Sequence, residues 1–533
     1  MNKLWSSLCQ HADMKPDEPA ILRFQGPNSG ALETVYTWRQ LQQQVLALAN
    51  ALRADHVEAL ALHADNGPAW IVADLACDQA GITLLPLPRF FSPAQLQHAL
   101  KSVPVDAILT DSPQLLQTLP NGASIRNTFT PVGSLAGLEY LQSGDRQNAV
   151  SVRAHSVPAQ TRKITFTSGS TGAPKGVCLS AETMAGVASS ILDATSSCAI
   201  ERHLCVLPLA TLLENIAGVH APLRRGAQVI VASEEVLGFN GNSGFSLPTF
   251  LDALSRCRPN SLILIPQLLE ALVMSADAGW KLPDSLRFIA VGGATVSASL
   301  LERAWAHGLP VYEGYGLSEC GSVVSLNSPE ARRNGSLGKP LAHGHVEIVD
   351  GEIVVTGEVF LGYAGDKDSW RSASIGRCPT GDLGYFDADG YLHFLGRRKN
   401  LLVSSFGRNI SPEWVEAELG ACAPIAQNYV FGDSRPYCVA LIAARAAQIG
   451  DQQIEDCVTR INATLPEYAR IRRWHRLAAP LSRGTGVESD LLTSNGRPRR
   501  AQIEQLYREQ IDALYVGSPH VEPTLSAAAS TQP

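Results

Sequence analysis

The sequence contains no Cys-x-x-Cys pair and no histidine–cysteine grouping with zinc-site spacing, which removes the common structural-zinc and dithiol motifs. Its eleven cysteines are scattered from Cys9 to Cys457 and are odd in number, so they read as free thiols of a reducing compartment. No run approaches ~18 uninterrupted apolar residues, so no transmembrane helix is expected. The opening Met1-Asn2-Lys3-Leu4-Trp5 passes at once into polar Gln10, His11 and Asp13, unlike a secretory signal. Charge is scarce, at 17% of residues, which argues against a largely disordered chain, while 45% hydrophobic residues suffice for ordinary cores. A net charge of −7 leaves no global footprint for nucleic acid. A cytoplasmic enzyme is expected, with peripheral contact to a membrane surface compatible with this composition. A chain of 533 residues exceeds a single core, so at least two domains are expected.

What is present is an alternation of short apolar runs and helix-like segments. Leu60–His63 and Ile82–Pro86 read as buried strands, with a helix between them opened by Asn66-Gly67-Pro68, Asn66 as its N-cap. The rhythm returns at Gln228–Ala232, Ser261–Pro266 and Arg287–Val291, as in a parallel sheet with helices on its faces. Near residue 340 it gives way to short strands joined by Gly and Asp turns, at Val346–Val349, Glu352–Thr356 and Tyr391–Leu395. A charged stretch, Gly396-Arg397-Arg398-Lys399-Asn400, follows. Beyond it a smaller α+β segment has a helix starting at Ser411-Pro412-Glu413, with Ser411 as N-cap. The expected fold class is α/β. Residues 1–396 form a large domain of layered α/β sheets with a β-rich subdomain over about 340–396, 397–516 form a small α+β domain, and 517–533, rich in Ser, Ala, Thr and Pro, form a disordered tail.

Three segments carry chemistry. Thr167-Ser168-Gly169-Ser170-Thr171-Gly172-Ala173-Pro174-Lys175-Gly176 follows a strand-like Ile164-Thr165-Phe166 and combines hydroxyls, glycines and one lysine, the ingredients of a polyphosphate cradle. It is not a Walker loop, because Pro174 and Gly176 flank the lysine where Gly and Ser or Thr would stand. In Tyr312-Glu313-Gly314-Tyr315-Gly316-Leu317-Ser318-Glu319, Tyr315 suits a purine face, Ser318 a phosphate oxygen, and Glu319 a hard cation such as Mg²⁺. Thr380-Gly381-Asp382 precedes Arg397 by fifteen residues; a carboxylate suits ribose hydroxyls and an arginine the same sugar or a phosphate, although an ordinary Asp turn has the same letters.

In this order and at these separations the segments resemble the adenylate-forming superfamily: acyl-CoA synthetases, luciferases and peptide-synthetase adenylation domains. The resemblance runs from about residue 15 to 510. It is closest to the long-chain fatty acyl-CoA synthetases, through Leu207-Pro208-Leu209, Glu214-Asn215, Ile265-Pro266-Gln267-Leu268-Leu269, Gly314 to Glu319 and Asn409-Ile410-Ser411-Pro412 with Val415-Glu416. It implies ATP-dependent activation of a carboxylic acid to an acyl-adenylate, with transfer to coenzyme A or to the phosphopantetheine of an acyl-carrier protein. By the same resemblance Thr167 to Gly172 and Lys175 would hold the β- and γ-phosphates. Gly292-Gly293-Ala294 with Glu313, Gly314, Tyr315 and Gly316 would enclose the adenine. Ser318 would meet the α-phosphate and Glu319 the Mg²⁺, while Asp382 and Arg397 would fix the ribose. Lys399 would be the hinge of a mobile C-terminal domain, Gly407 would line the thiol channel, and the segment from Leu209 to His220 would border the acyl pocket, or be plain core.

Two features depart from the pattern. In Leu492-Thr493-Ser494-Asn495-Gly496-Arg497-Pro498-Arg499-Arg500, Arg497 stands where the family places the lysine that bridges carboxylate and α-phosphate. Arginine keeps the charge but is planar and bulkier. Three readings are open: Arg497 does the work less well, the enzyme favours the thioester step, or the chain binds without turning over. Ser318 replaces the usual threonine and keeps its hydroxyl. Residues 466–500 also hold eight arginines against three acids, a local +5 that is either a dock for CoA phosphates or an acidic carrier, or a solvated face.

Overall fold

The computed structural model describes residues 3–26, 32–114, 129–167, 174–240, 244–481, 491–492 and 498–516. The tail expected over 517–533 lies outside the described residues. The chain divides into two compact units, Met1–Leu401 with Ser482–Pro498, and Leu402–Leu481 with Arg499–Pro533. Among the described residues no helix is long and apolar enough to cross a membrane.

The first unit is built on two large sheets, of nine and eight strands, with helices against them, and a smaller four-stranded antiparallel sheet. The eight-stranded sheet has a parallel centre. Ala59–His63 lies between Thr83–Pro86 and Ala107–Thr110, and Thr83–Pro86 in turn pairs Lys163–Thr167. In the nine-stranded sheet Arg202–Leu204, Ser261–Leu264, Phe288–Val291 and Val311–Tyr315 are consecutive parallel neighbours. Both sheets are covered on their faces, which explains why Ala59–His63 and Ser261–Leu264 are buried throughout and show no polar alternation. The change of texture near residue 340 is the small sheet: Gly344–Val349, Glu352–Gly357, Arg377–Phe386 and Leu392–Arg397 pair in that order.

One expected cap is corrected. The helix Pro68–Ala80 follows Asn66-Gly67, but its N-cap is Gly67 and no side chain caps it. Asn66 instead donates from Nδ2 to the Leu207 carbonyl (2.9 Å) and accepts from the Leu209 amide at Oδ1 (2.7 Å), pinning a distant loop. A tertiary pair of bonds to backbone outcompetes the local one. By contrast, Ser411 is the N-cap residue of the helix Pro412–Gly420, as expected, although its hydroxyl donates to Glu413 at 3.2 Å and caps no amide.

The second unit packs Pro412–Gly420 and Asp451–Thr464 on a three-stranded sheet of Ile425–Phe431, Cys438–Ala444 and Ile471–Arg476. Its arginines are largely tied internally. Arg476 pairs with Asp451 (2.7 Å), Arg472 with Glu467 (3.3 Å), Arg473 donates to the Leu514 and Val516 carbonyls, and the half-buried Arg500 joins Glu416. Among the described residues, Arg470, Arg472, Arg473, Arg476 and Arg500 of the +5 stretch are therefore held in clasps within this unit.

Candidate functional site

The glycine turns of the nucleotide-like motif sit at the carboxyl ends of two adjacent parallel strands. Phe288–Val291 runs into Gly292-Gly293-Ala294, and its neighbour Val311–Tyr315 runs into Gly316, with Val291 beside Glu313. Carboxyl ends of an open α/β sheet are where such folds take ligands. Glycine is required at two of these positions: a Cβ on Gly292 would stand 3.0 Å from the Gly314 carbonyl oxygen, and one on Gly316 would overlap the Ser322 carbonyl. All of Gly292, Gly293, Ala294, Gly314, Tyr315, Gly316, Ser318 and Glu319 line one cavity of about 1600 Å³.

Asp382 and Arg397 are brought to the same cavity by the small sheet. They are direct cross-strand partners, so the fifteen-residue spacing is a hairpin that returns the arginine beside the carboxylate. Arg397 Nε lies 3.0 Å from Asp382 Oδ1, and the Tyr315 hydroxyl donates to Oδ2 at 2.8 Å. Burial, with the Asp382 charge next, pushes the Tyr315 phenol far above its ordinary range, so it stays a donor. Thr380 accepts from the Asp382 amide and donates to the Ile353 carbonyl, which fixes the turn. Motifs 67 residues apart thus form one polar cluster on the cavity wall.

Thr167 and Lys175 are register partners in the antiparallel pair of Lys163–Thr167 and Lys175–Leu179, and both line the cavity. The connecting Ser168, Gly169, Ser170, Thr171 and Gly172 lie outside the described residues. Lys175 Nζ stands 4.8 Å from the centre of the Tyr363 ring, and the Tyr363 hydroxyl donates to Glu319 Oε1 at 2.8 Å. Burial and then the Glu319 carboxylate raise the Tyr363 phenol out of the physiological range, so it too remains a donor. Tyr363 is a residue that the motifs do not reveal. It belongs to the short strand Gly362–Tyr363, paired with Val177, and only that tertiary pairing links it to Glu319.

Glu313 does not line the cavity. It is buried behind the wall, where desolvation, opposed by the Val296 amide, pushes its carboxyl up to about 8. A raised carboxyl favours the folded state while protonated. That advantage is complete below the ordinary value near 4.5 and is lost as pH rises through about 8. Glu313→Gln is expected to be more stable than the parent above pH 8, by a few kcal/mol, and little different at pH 5. Thermal melts at both values check this, and an equal shift at both would show that Glu313 is ionised throughout.

Lys399 also lines the cavity, two residues before the sequence boundary between the units at Leu401. Gly407 belongs to the second unit, in a left-handed turn (φ +71°) between Leu402–Val403 and Asn409–Ile410. Arg497 lies outside the described residues.

Buried polar networks that sequence reasoning did not anticipate stand behind the cavity. Asp74 takes Lys163 Nζ at 2.6 Å, His220 Nε2 at 2.7 Å and Asn215 Nδ2 at 2.8 Å. Burial alone would raise the Asp74 carboxyl, but Lys163 and His220 hold it well below the usual range. Asn215 and His220 lie on a π-helix, Glu214–His220, whose widened turn points several polar side chains inward.

The profile of the AMP-binding enzyme family matches residues 8–364, and that of the AMP-binding enzyme C-terminal domain matches 399–518. The chain belongs to the AMP-binding enzymes. The feruloyl-CoA synthase of Amycolatopsis sp is 30% identical to this AMP-binding enzyme over 406 residues, covering 72% of this chain and 78% of that protein. Long-chain-fatty-acid–CoA ligase 6 of Rattus norvegicus is 24% identical over 573 residues, 86% of this chain and 78% of its own. The crystal structure of an anthranilate CoA ligase in complex with anthranoyl-AMP superposes with a TM-score of 0.74 at 18% identity, covering 95% of this chain and 97% of that one. That structural likeness carries the fold expected above, a large α/β domain followed by a smaller one.

Proposed function

We propose that this AMP-binding enzyme activates a medium- to long-chain fatty acid with ATP to an acyl-adenylate, and then transfers the acyl group to coenzyme A. The observation that carries the reading is the shape of the cavity. Its wall carries a polar group, with Asp382, Tyr315, Ser318, Glu319 and Lys175, and an apolar group that includes Ile191, Leu192, Leu212, Ala217 and Phe288. The polar part suits a nucleotide and the apolar part an alkyl chain. The relatives support the acid–thiol ligase class: the two curated relatives above are a long-chain-fatty-acid–CoA ligase and a feruloyl-CoA synthase.

The chemistry is an in-line attack of a carboxylate on the α-phosphorus, with pyrophosphate leaving, followed by attack of a thiol on the mixed anhydride. Two anions must meet, so the chain has to bring cationic and donor groups to the phosphates. Asp382 would accept from ribose hydroxyls, Ser318 would donate to the α-phosphate, and Lys175 would face the outer phosphates. Glu319 fits a Mg²⁺ ion: it is an oxygen donor on the cavity wall, and one of its oxygens is already oriented by Tyr363, with no second side-chain partner on the other among the described residues. The ion would neutralise charge on the phosphates. Lys399, beside the junction of the units, is suited to act as the pivot between the two half-reactions.

Glu319→Gln is expected to shift the Mg²⁺ titration to higher concentration without unfolding the chain, and Tyr363→Phe to shift it less, by about 1 kcal/mol of lost orientation. Wild-type titrations in both variants would place the metal elsewhere. The overall reading is tested by supplying ATP, Mg²⁺ and a fatty acid with and without coenzyme A, and identifying products by mass. Acyl-CoA and AMP are expected with coenzyme A; acyl-adenylate that never converts would remove the second step.

A further inference from the structure

The far end of the apolar part of the cavity is not apolar. The cavity extends from Gly292-Gly293-Ala294, past the carboxyl ends of the strands, to His203, Ser261 and Phe288 at their amino ends. Ser261 to Leu264 is three steps of a strand, so this end lies about 10 Å from the carboxyl ends. There Ser261 Oγ stands 2.9 Å from His203 Nδ1, His203 Nε2 stands 3.1 Å from Glu214 Oε1, and Glu214 Oε2 accepts from the Leu207 amide at 2.9 Å.

The arrangement is built. Glu214 is fully buried, and its carboxylate reaches His203 only because residue 218 has no side chain: a Cβ on Gly218 would stand 2.1 Å from Glu214 Oε1 and 2.8 Å from His203 Nε2. His203, Cys205 and Glu214 are close enough together to suggest a metal site. Yet both ring nitrogens and both carboxylate oxygens already have partners, and the Cys205 thiol faces the Gly218 carbonyl at 3.7 Å. The group therefore acts as a hydrogen-bonded relay that ends at Ser261, on the cavity wall.

A hydroxyl has one donor and two acceptor positions, and His203 takes one of them. If the ring hydrogen sits on Nε2 toward Glu214, Nδ1 takes the Ser261 hydrogen and leaves the oxygen's lone pairs; if both nitrogens are protonated, Ser261 keeps its hydrogen to give. Either state leaves capacity at Ser261, on a wall it shares with the apolar Phe288, Ile263 and Leu262. A saturated chain leaves that capacity unmet, at a desolvation cost, whereas a neutral polar group satisfies it. Arg225 also lines the cavity, with its terminal guanidinium nitrogens committed to the carbonyls of Leu192, Thr195 and Cys198 and the Thr195 hydroxyl.

We infer that Ser261, oriented by His203 and Glu214, recognises a hydroxyl or oxo group carried far along the acyl chain, so that the substrates are oxygenated fatty acids rather than plain ones. This rests on the acyl-activation reading above. The test uses straight-chain acids bearing one hydroxyl at successive carbons, each paired with its unsubstituted counterpart, in acid-dependent ATP–pyrophosphate exchange. The parent enzyme is expected to favour one hydroxyl position over the plain acid by about ten-fold or more in kcat/KM, and Ser261→Ala to collapse that ratio. Ser261→Thr, which keeps the hydroxyl, should retain part of it. No preferred position in the parent enzyme overturns the inference, as does a ratio that survives in Ser261→Ala, including a parallel fall for both acids. If no acid at all supports exchange, it is the activation reading that fails. Calorimetric binding of the same acid pairs to the parent and Ser261→Ala proteins then decides the inference by itself, with equal affinities overturning it.

Discussion

Replacing Arg497 by alanine is expected to depress adenylation by on the order of a hundred-fold, the scale of losing one charged stabiliser of a transition state, while thioester formation from a supplied acyl-adenylate falls far less. The expectation follows from charge. In the first step a carboxylate approaches a phosphate, and a cation between them offsets the repulsion; in the second a thiol attacks a neutral acyl carbon. Arg497→Lys should hold or raise the adenylation rate, because an ammonium is more compact than a planar guanidinium. Pyrophosphate exchange measures the first step, and thioester formation from synthetic adenylate the second. Equal damage to both would indicate a shared structural role. No damage to either would mean that Arg497 is not the counterpart of the family's lysine.

Asp382→Ala is expected to raise the ATP requirement by roughly thirty-fold, the equivalent of about 2 kcal/mol for a lost charge-assisted contact. Asp382 is buried between Arg397 and the Tyr315 hydroxyl, so its removal also leaves a guanidinium and a phenol without their acceptor. Some loss of melting temperature should accompany it. Asp382→Asn, which keeps the shape and one acceptor oxygen, should recover more of the stability than of the ATP affinity. ATP titrations that match the parent enzyme would remove the ribose assignment.

The polar rim was legible in the sequence because its parts are short and local. The Gly292-Gly293-Ala294 turn after a strand and the Tyr-Gly-Leu-Ser-Glu turn each fall within a few residues, and the strand pairing of Asp382 with Arg397 explains their fifteen-residue spacing. What could not be read was set by contacts distant in the chain. Asn66 has the letter of an N-cap, yet it binds the backbone of Leu207 and Leu209, which no local pattern signals. Tyr363 orients Glu319 from 44 residues away. The Ser261–His203–Glu214 relay joins two strands and a π-helix, and its key permission is the missing side chain of Gly218. Glu313 shows the opposite case: it lies inside a recognisable motif, yet it is buried and absent from the wall that Gly314 and Tyr315 line.

The central claim is that one cavity joins a nucleotide site to a site for a fatty acyl chain. ATP–pyrophosphate exchange over a panel of fatty, oxygenated fatty and aromatic acids tests it most directly, because exchange requires that both substrates occupy that cavity together and react reversibly. Acid-dependent exchange, strongest with chain acids and weak with aromatic ones, is the predicted result. Exchange confined to aromatic acids, or none with any acid while ATP still binds, would contradict it.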